Sequence, residues 1–161
     1  MARDALVPLA RRLGARLKRR GLMLATAESC TGGWIAQAVT SVPGSSEWFE
    51  RGFVTYSNSA KRELLGVRAS TLSRHGAVSE ETAREMAAGA LRRSRAQVAV
   101  AVTGVAGPGG GTRAKPVGMV CFAWALKKGD TQSTARRFRS GRESVRRQSV
   151  AAALLGLLER I

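Results

Sequence analysis

The stretch Gly21–Gly33, Gly-Leu-Met-Leu-Ala-Thr-Ala-Glu-Ser-Cys-Thr-Gly-Gly, constrains the fold more than any other part of this 161-residue chain. An apolar run, Gly21 to Ala25, leads straight into a polar turn, and beyond it Trp34, Ile35, Ala38 and Val39 recur at helical spacing. The pattern reads as a strand ending near Ala25, a turn over Thr26–Gly33 and a helix starting near Thr31. Ser29 then stands at a strand-to-helix junction. In open α/β sheets ligands bind beyond the carboxyl ends of the strands, and the free N–H groups of a helix start favour negative charge. A hydroxyl there can attack a carbonyl. Equally, Ser29 or Thr31 can cap the helix while Gly32 and Gly33 permit close packing, and spacing alone leaves both readings open.

The remaining elements follow from the same kind of pattern. Leu6, Leu9, Ala10, Leu13 and Leu17 give an amphipathic helix ending near Gly21. Arg51–Ser57 reads as a short strand with Tyr56 and Ser57 at its carboxyl end; Asn58-Ser-Ala-Lys61 opens a helix through Leu65 closed by Gly66, and a second short helix runs from Ala69 to His75-Gly76. Ser79 caps a long helix with Glu80 and Glu81 in its first turn and Ala83, Met86, Ala87, Ala90 and Leu91 inside. Gln97–Val102 has the β-branched apolar composition of a central strand and runs into the glycine-rich loop Thr103–Gly111. Val117–Leu126 and Thr131–Phe138 flank Lys127-Lys-Gly-Asp130, a hairpin turn that makes them antiparallel, so the sheet is expected to be mixed. The last helix starts near Arg142 and buries Val150, Leu154, Leu157, Leu158 and Ile161.

Composition excludes several classes. No apolar run approaches the ~20 residues of a membrane span, and the N-terminal segment has no charged region ahead of its short apolar stretch, so neither a membrane protein nor a secretion signal is expected and the default location is the cytoplasm. Cys30 and Cys121 are the two cysteines and His75 the single histidine, which supports neither a metal site nor a disulfide framework. The net charge of +16 raises the prior for an anionic partner. Its 27 basic residues cluster at separate places, seven between Arg3 and Arg20, three at Arg92, Arg93 and Arg95, and eight from Lys127 to Arg147. With aromatic residues at 5% there are few stacking platforms for bases, so non-specific nucleic-acid contact through the basic clusters stands beside a plainly solvated basic surface.

Several catalytic motifs can be tested and set aside. The 104–111 loop lacks the Gly-Lys-Ser/Thr ending of a P-loop, and Thr112 takes the third glycine of a GxGxxG begun at Gly107. Ala27 and Thr31 replace the glycines of a GxSxG elbow, and His75 lies on a distant loop, against a Ser-His-Asp triad. A Ser–Lys pair remains, since a lysine whose pKa is lowered by burial or neighbouring cations can deprotonate a serine. Lys61 is the candidate, one turn into a helix that begins at a strand's carboxyl end, with Tyr56 placed to relay or orient a proton. Cys30 is a competing nucleophile.

Thr26-Ala-Glu-Ser-Cys-Thr-Gly-Gly33, Gly52-Phe-Val-Thr-Tyr-Ser-Asn58 with Lys61, His75-Gly-Ala-Val-Ser79, Thr103-Gly-Val-Ala-Gly-Pro108 and Lys115-Pro-Val-Gly118 occur in one order along the chain. In this the sequence resembles the family of the CinA C-terminal domain, which includes nicotinamide-nucleotide amidohydrolases, over nearly its whole length. The resemblance implies a single three-layer α/β/α domain over 1–161 with a mixed, mainly parallel sheet. It implies hydrolysis of the carboxamide of nicotinamide mononucleotide, a small-molecule nucleotide substrate, without a cofactor, by Ser29 as nucleophile with Tyr56 and Lys61 beside it. Substrate contacts are then expected from Thr31, Gly32, Gly33, Asn58, Thr103, Gly104, Ala106 and Gly107, with backbone N–H groups near Thr31–Gly33 holding the oxyanion and Arg142 a candidate for the phosphate. A homo-oligomer is expected. The alternative is a non-catalytic, basic, nucleic-acid-associated protein related to competence.

Overall fold

The computed structural model describes residues 5–161. The reading of the N-terminus as free of a secretion signal rests partly on residues 1–4, which lie outside the described residues. Eleven regular elements follow in order: α1 (Leu6–Arg20), β1 (Leu24–Glu28), α2 (Trp34–Thr40), β2 (Phe49–Val54), α3 (Asn58–Leu65), α4 (Ala69–His75), α5 (Glu80–Arg92), β3 (Val98–Gly104), β4 (Met119–Leu126), β5 (Thr131–Arg137) and α6 (Arg142–Arg160), with one 3-10 turn at Ser45–Glu47.

The strands form one sheet in the order β2-β1-β3-β4-β5. β1 pairs parallel with both β2 and β3, β4 runs antiparallel to β3, and β5 antiparallel to β4, so four of the five strands point one way. The Val98–Val102 run takes the central place because it is buried on both faces, by its valines on one and its alanines on the other. Strand alternation divides the core. Leu24, Val98, Val100, Val102, Phe122 and Trp124 meet α1, α2 and α6 on one face, and Ala25, Ala27, Ala99, Ala101 and Ala123 meet Leu65 of α3 and Met86 and Ala90 of α5 on the other. The three layers are the expected ones. On the second face the alanines let α5 approach closely, and a Cβ at Gly89 would stand only 1.9 Å from the carbonyl oxygen of Leu65.

β2 spans Phe49–Val54 where Arg51–Ser57 was expected and β4 starts at Met119, not Val117; two further boundaries differ from the sequence reading at the first turn. β1 continues through Thr26, Ala27 and Glu28 rather than stopping at Ala25, because it is hydrogen-bonded on both sides and its two polar side chains are buried. α2 starts at Trp34 rather than Thr31, because Gly32 and Gly33 have φ of 61° and 102°, which no helix accommodates. Local chemistry accounts for the other ends. Gly21 and Gly66 close α1 and α3 in the left-handed conformation, and the Ser57 and Ser79 hydroxyls cap α3 and α5 by accepting from the amides of Ala60 and Thr82.

Candidate active site

Glu28 stands opposite Val54 on one side and Val102 on the other, so β1 and β2 end at one level, beside Val102 of β3. The ladders run one bond further: the amide of Ser29 donates to the Val102 carbonyl at 3.0 Å, and that of Thr55 to the Glu28 carbonyl at 2.8 Å. Ser29 is thereby fixed between the neighbouring strands before the chain turns. By alternation it shares the face of Ala25 and Ala27, which is the face α3 covers.

α3 places Lys61 on that face, 1% exposed and among the largest fully buried side chains. Its ammonium donates to Ser29 Oγ at 2.9 Å, to the Thr55 carbonyl at 2.8 Å and to the Tyr56 carbonyl at 3.0 Å. This geometry defines what proton loss does. The two carbonyls can only accept, so they hold two N–H bonds in either state, and the third position, aimed at Ser29, becomes the lone pair of the neutral amine. The hydrogen bond then reverses, with Ser29 donating to Lys61. Burial pulls the Lys61 pKa from 10.5 down to about 8, so the neutral form is accessible near physiological pH. Of the two causes the sequence left open, burial and neighbouring cations, desolvation is the one at work.

Cys30 is buried, and burial foremost, with the Glu28 charge adding to it, pushes its thiol up to about 12. A thiol held in that form is a poor nucleophile. Of the two adjacent candidates, Ser29 is the one that meets a base.

The other expected residues divide. Tyr56 contributes its carbonyl to Lys61, whereas its side chain is 64% exposed, so its hydroxyl is not built into the Ser29–Lys61 contact. Thr31 is fully buried and donates its hydroxyl to Glu28 at 2.6 Å, so it braces the turn instead of facing a ligand. The Gly32 amide donates to the Ser29 carbonyl at 3.0 Å, which removes it from the expected oxyanion donors. Gly32 and Gly33 keep the backbone of the turn free of side chains at their left-handed positions. Asn58 is exposed at the start of α3. Thr103 lies at the same level as Ser29, one residue past Val102, and donates its hydroxyl to the Ala77 carbonyl at 2.8 Å, tying the His75–Ser79 motif to the end of β3. Gly104 pairs with Val120 as the loop leaves the sheet, Ala106 is buried, and a Cβ at Gly107 would overlap Val117. Arg142 donates to the Gly107 carbonyl at 2.7 Å and so anchors this loop to α6.

Sequence reasoning missed two residues. Arg146, one turn beyond Arg142 on α6, donates to the carbonyls of Cys30 and Thr31, both at 3.1 Å, and lies over the Trp34 ring. The two arginines at i and i+4 therefore clamp the two glycine-rich loops to one helix. Glu28 is the second. Fully buried, it accepts from Thr31 Oγ1, from the Ile35 amide at 2.8 Å and from the Ala36 amide at 3.0 Å. A carboxylate directly before Ser29 and three residues before a threonine was the available signal, but a polar residue inside a strand carries no periodic mark.

The fold and the buried pair define an α/β domain with a candidate hydrolytic centre at the carboxyl ends of its inner strands. The chain belongs to the CinA family, whose model, described as the CinA C-terminal domain, matches residues 6–161. It is 52% identical over 154 residues to the nicotinamide-nucleotide amidohydrolase PncC of Escherichia coli strain K12, covering 96% of this chain and 93% of that one. To the protein of the same name from Pseudomonas putida it is 54% identical over 159 residues, covering 97% of both. Among solved structures it is similar to the competence/damage inducible protein CihA of Agrobacterium tumefaciens, with a TM-score of 0.94 at 51% identity over 96% of this chain and 94% of that one.

Proposed function

We propose that this protein is a nicotinamide-nucleotide amidase that hydrolyses the carboxamide of nicotinamide mononucleotide to nicotinate mononucleotide and ammonia, with Ser29 as nucleophile and Lys61 as its base. One observation carries the reading: Lys61 Nζ lies 2.9 Å from Ser29 Oγ, in a chain about half identical, over nearly full length, to relatives named for this activity. Neutral Lys61 takes the Ser29 proton as Oγ bonds to the carboxamide carbon, giving a tetrahedral oxyanion. Lys61 then returns that proton to the amide nitrogen as the C–N bond breaks, and ammonia leaves. Water, deprotonated by Lys61, adds to the acyl-enzyme ester; collapse expels Ser29, which recovers a proton from Lys61. The turn beside Ser29 carries no side chain at Gly32 and Gly33, and in this reading the nucleotide lies between it and the Thr103–Gly107 loop that Arg142 anchors.

Ammonia release from nicotinamide mononucleotide by the purified protein tests the reading. Ser29→Ala is expected to cut turnover by several orders of magnitude in a folded protein, and Cys30→Ala to retain most of it. An active Ser29→Ala variant that thiol alkylation silences would move the nucleophile to Cys30.

A further inference from the structure

Glu28 is a buried acidic group for which the proton transfers above have no use. Its side chain points to the α2 face of the sheet, as alternation requires of the residue before Ser29, while Ser29 points to the α3 face. All three hydrogen-bonding partners of its carboxylate are donors: the Thr31 hydroxyl and Ile35 amide meet Oε1, and the Ala36 amide meets Oε2 at 3.0 Å. An all-donor shell is the environment of an ionised carboxylate. The α2 amides it engages belong to the helix start that would otherwise attract an anion, and they are spent inside the protein.

The connectivity of these bonds is the telling point. Thr31 belongs to the turn that carries Ser29, and Ile35 and Ala36 belong to the helix after it. Gly32 and Gly33, both at positive φ, lie between. Two successive glycines form a loose joint, and Glu28 spans it from the strand side. Arg146 holds the outer side through the Cys30 and Thr31 carbonyls. Ser29 Oγ must stay within hydrogen-bonding reach of Lys61 Nζ on the opposite face, and an ångström of drift at a reacting atom costs on the order of a hundredfold in rate.

We propose that Glu28 is a positioning residue for the acyl-transfer step, holding the Ser29 turn so that Oγ rests on Lys61. This rests on the amidase reading above. Glu28→Gln keeps size and shape but sets an NH2 group against at least one of three donors. Thr31→Val removes one partner while leaving Glu28 intact, and Thr31→Ser restores the hydroxyl.

The experiment measures kcat and KM for nicotinamide mononucleotide, with Tm, in the wild-type protein, Glu28→Gln, Thr31→Val, Thr31→Ser and the Glu28→Gln/Thr31→Val double variant. In Glu28→Gln, kcat is expected to fall roughly ten- to a hundredfold with KM nearly unchanged, at a temperature where the variant is folded. Thr31→Val should fall in the same sense by less, Thr31→Ser should stand close to the wild type, and the double variant should be little worse than Glu28→Gln alone, since both changes break one unit. A helix cap that merely stabilises would lower Tm and leave kcat of the folded protein untouched, and that result overturns the proposal. Should Glu28→Gln fail to fold, Thr31→Val decides in the same way. Wild-type protein that releases no ammonia refutes the amidase reading itself, whereas an active wild type with unchanged kcat in the variants refutes positioning alone.

Discussion

The lowered pKa of Lys61 has two consequences that must appear together. With a value of about 8, roughly a tenth of the enzyme carries neutral Lys61 at pH 7 and about nine-tenths at pH 9. In the proposed mechanism the neutral amine is the base, so kcat/KM for nicotinamide mononucleotide should rise along a single limb centred near pH 8, gaining about tenfold between pH 7 and its plateau. The second consequence concerns stability. In the unfolded chain the lysine keeps its ordinary value of 10.5, so between pH 8 and 10.5 the unfolded state holds a proton that the folded state has released. Stability therefore rises with pH across this window, and below pH 8 the folded state bears the full cost of a buried ammonium. The side chain is 1% exposed, so solvent screening removes little of this cost. The shift corresponds to about 2 to 3 kcal/mol gained from pH 7 to pH 10. Lys61→Met lacks the titration while sharing every other group, so the difference in urea stability between wild type and variant isolates it. That difference should move in favour of the wild type by the stated amount as pH rises. An activity limb centred below pH 7, or a stability difference that is flat or falls with pH, would refute the reasoning.

Gly89→Ala sets two effects against each other, since alanine favours a helix by ~1 kcal/mol over glycine but its Cβ would stand 1.9 Å from the Leu65 carbonyl oxygen. Overlap with backbone should win, so urea unfolding should show a net loss of about 1 to 3 kcal/mol, and a more stable variant would show that α3 and α5 separate freely. The basic surface makes a separate prediction. Arg16, Arg51, Arg92, Arg93, Arg142, Arg146 and Arg160 each donate to a backbone carbonyl, a structural use for part of the +16 charge. Arg136, Arg137 and Arg139 instead lie exposed on and beyond the edge strand β5, and we propose them as a site of sequence-independent nucleic-acid contact. Changing all three to alanine should weaken duplex DNA binding and flatten its salt slope by ~0.9 per lost phosphate contact, with ammonia release unchanged. Loss of turnover in a folded triple variant would assign them to the active site.

Helix and strand identities were legible in the sequence because each depends on residues within a turn or two. The serine cap at 79, glycine closures at 21 and 66 and the β-branched Val98–Val102 run required no knowledge of the rest of the chain. The order of motifs likewise pointed to Ser29 and Lys61 through resemblance. What the sequence could not determine was environment, because environment is set by whatever packs on a residue from elsewhere. Lys61 in an isolated α3 would be one more solvated lysine. It becomes a candidate base because the sheet brings the end of β1, thirty-two residues earlier, against it and because burial, not neighbouring cations, lowers its pKa. The resemblance put Tyr56 beside the nucleophile and Thr31 against the substrate, and only the folded chain turns the ring outward and spends the hydroxyl on Glu28. Glu28 carried only a faint local signal and Arg146 none, since the partners that give them their roles lie across a glycine joint and on the turn after β1. A strand or helix is a property of neighbouring residues along the chain, whereas a proton's affinity for a side chain depends on the solvent that the tertiary fold excludes.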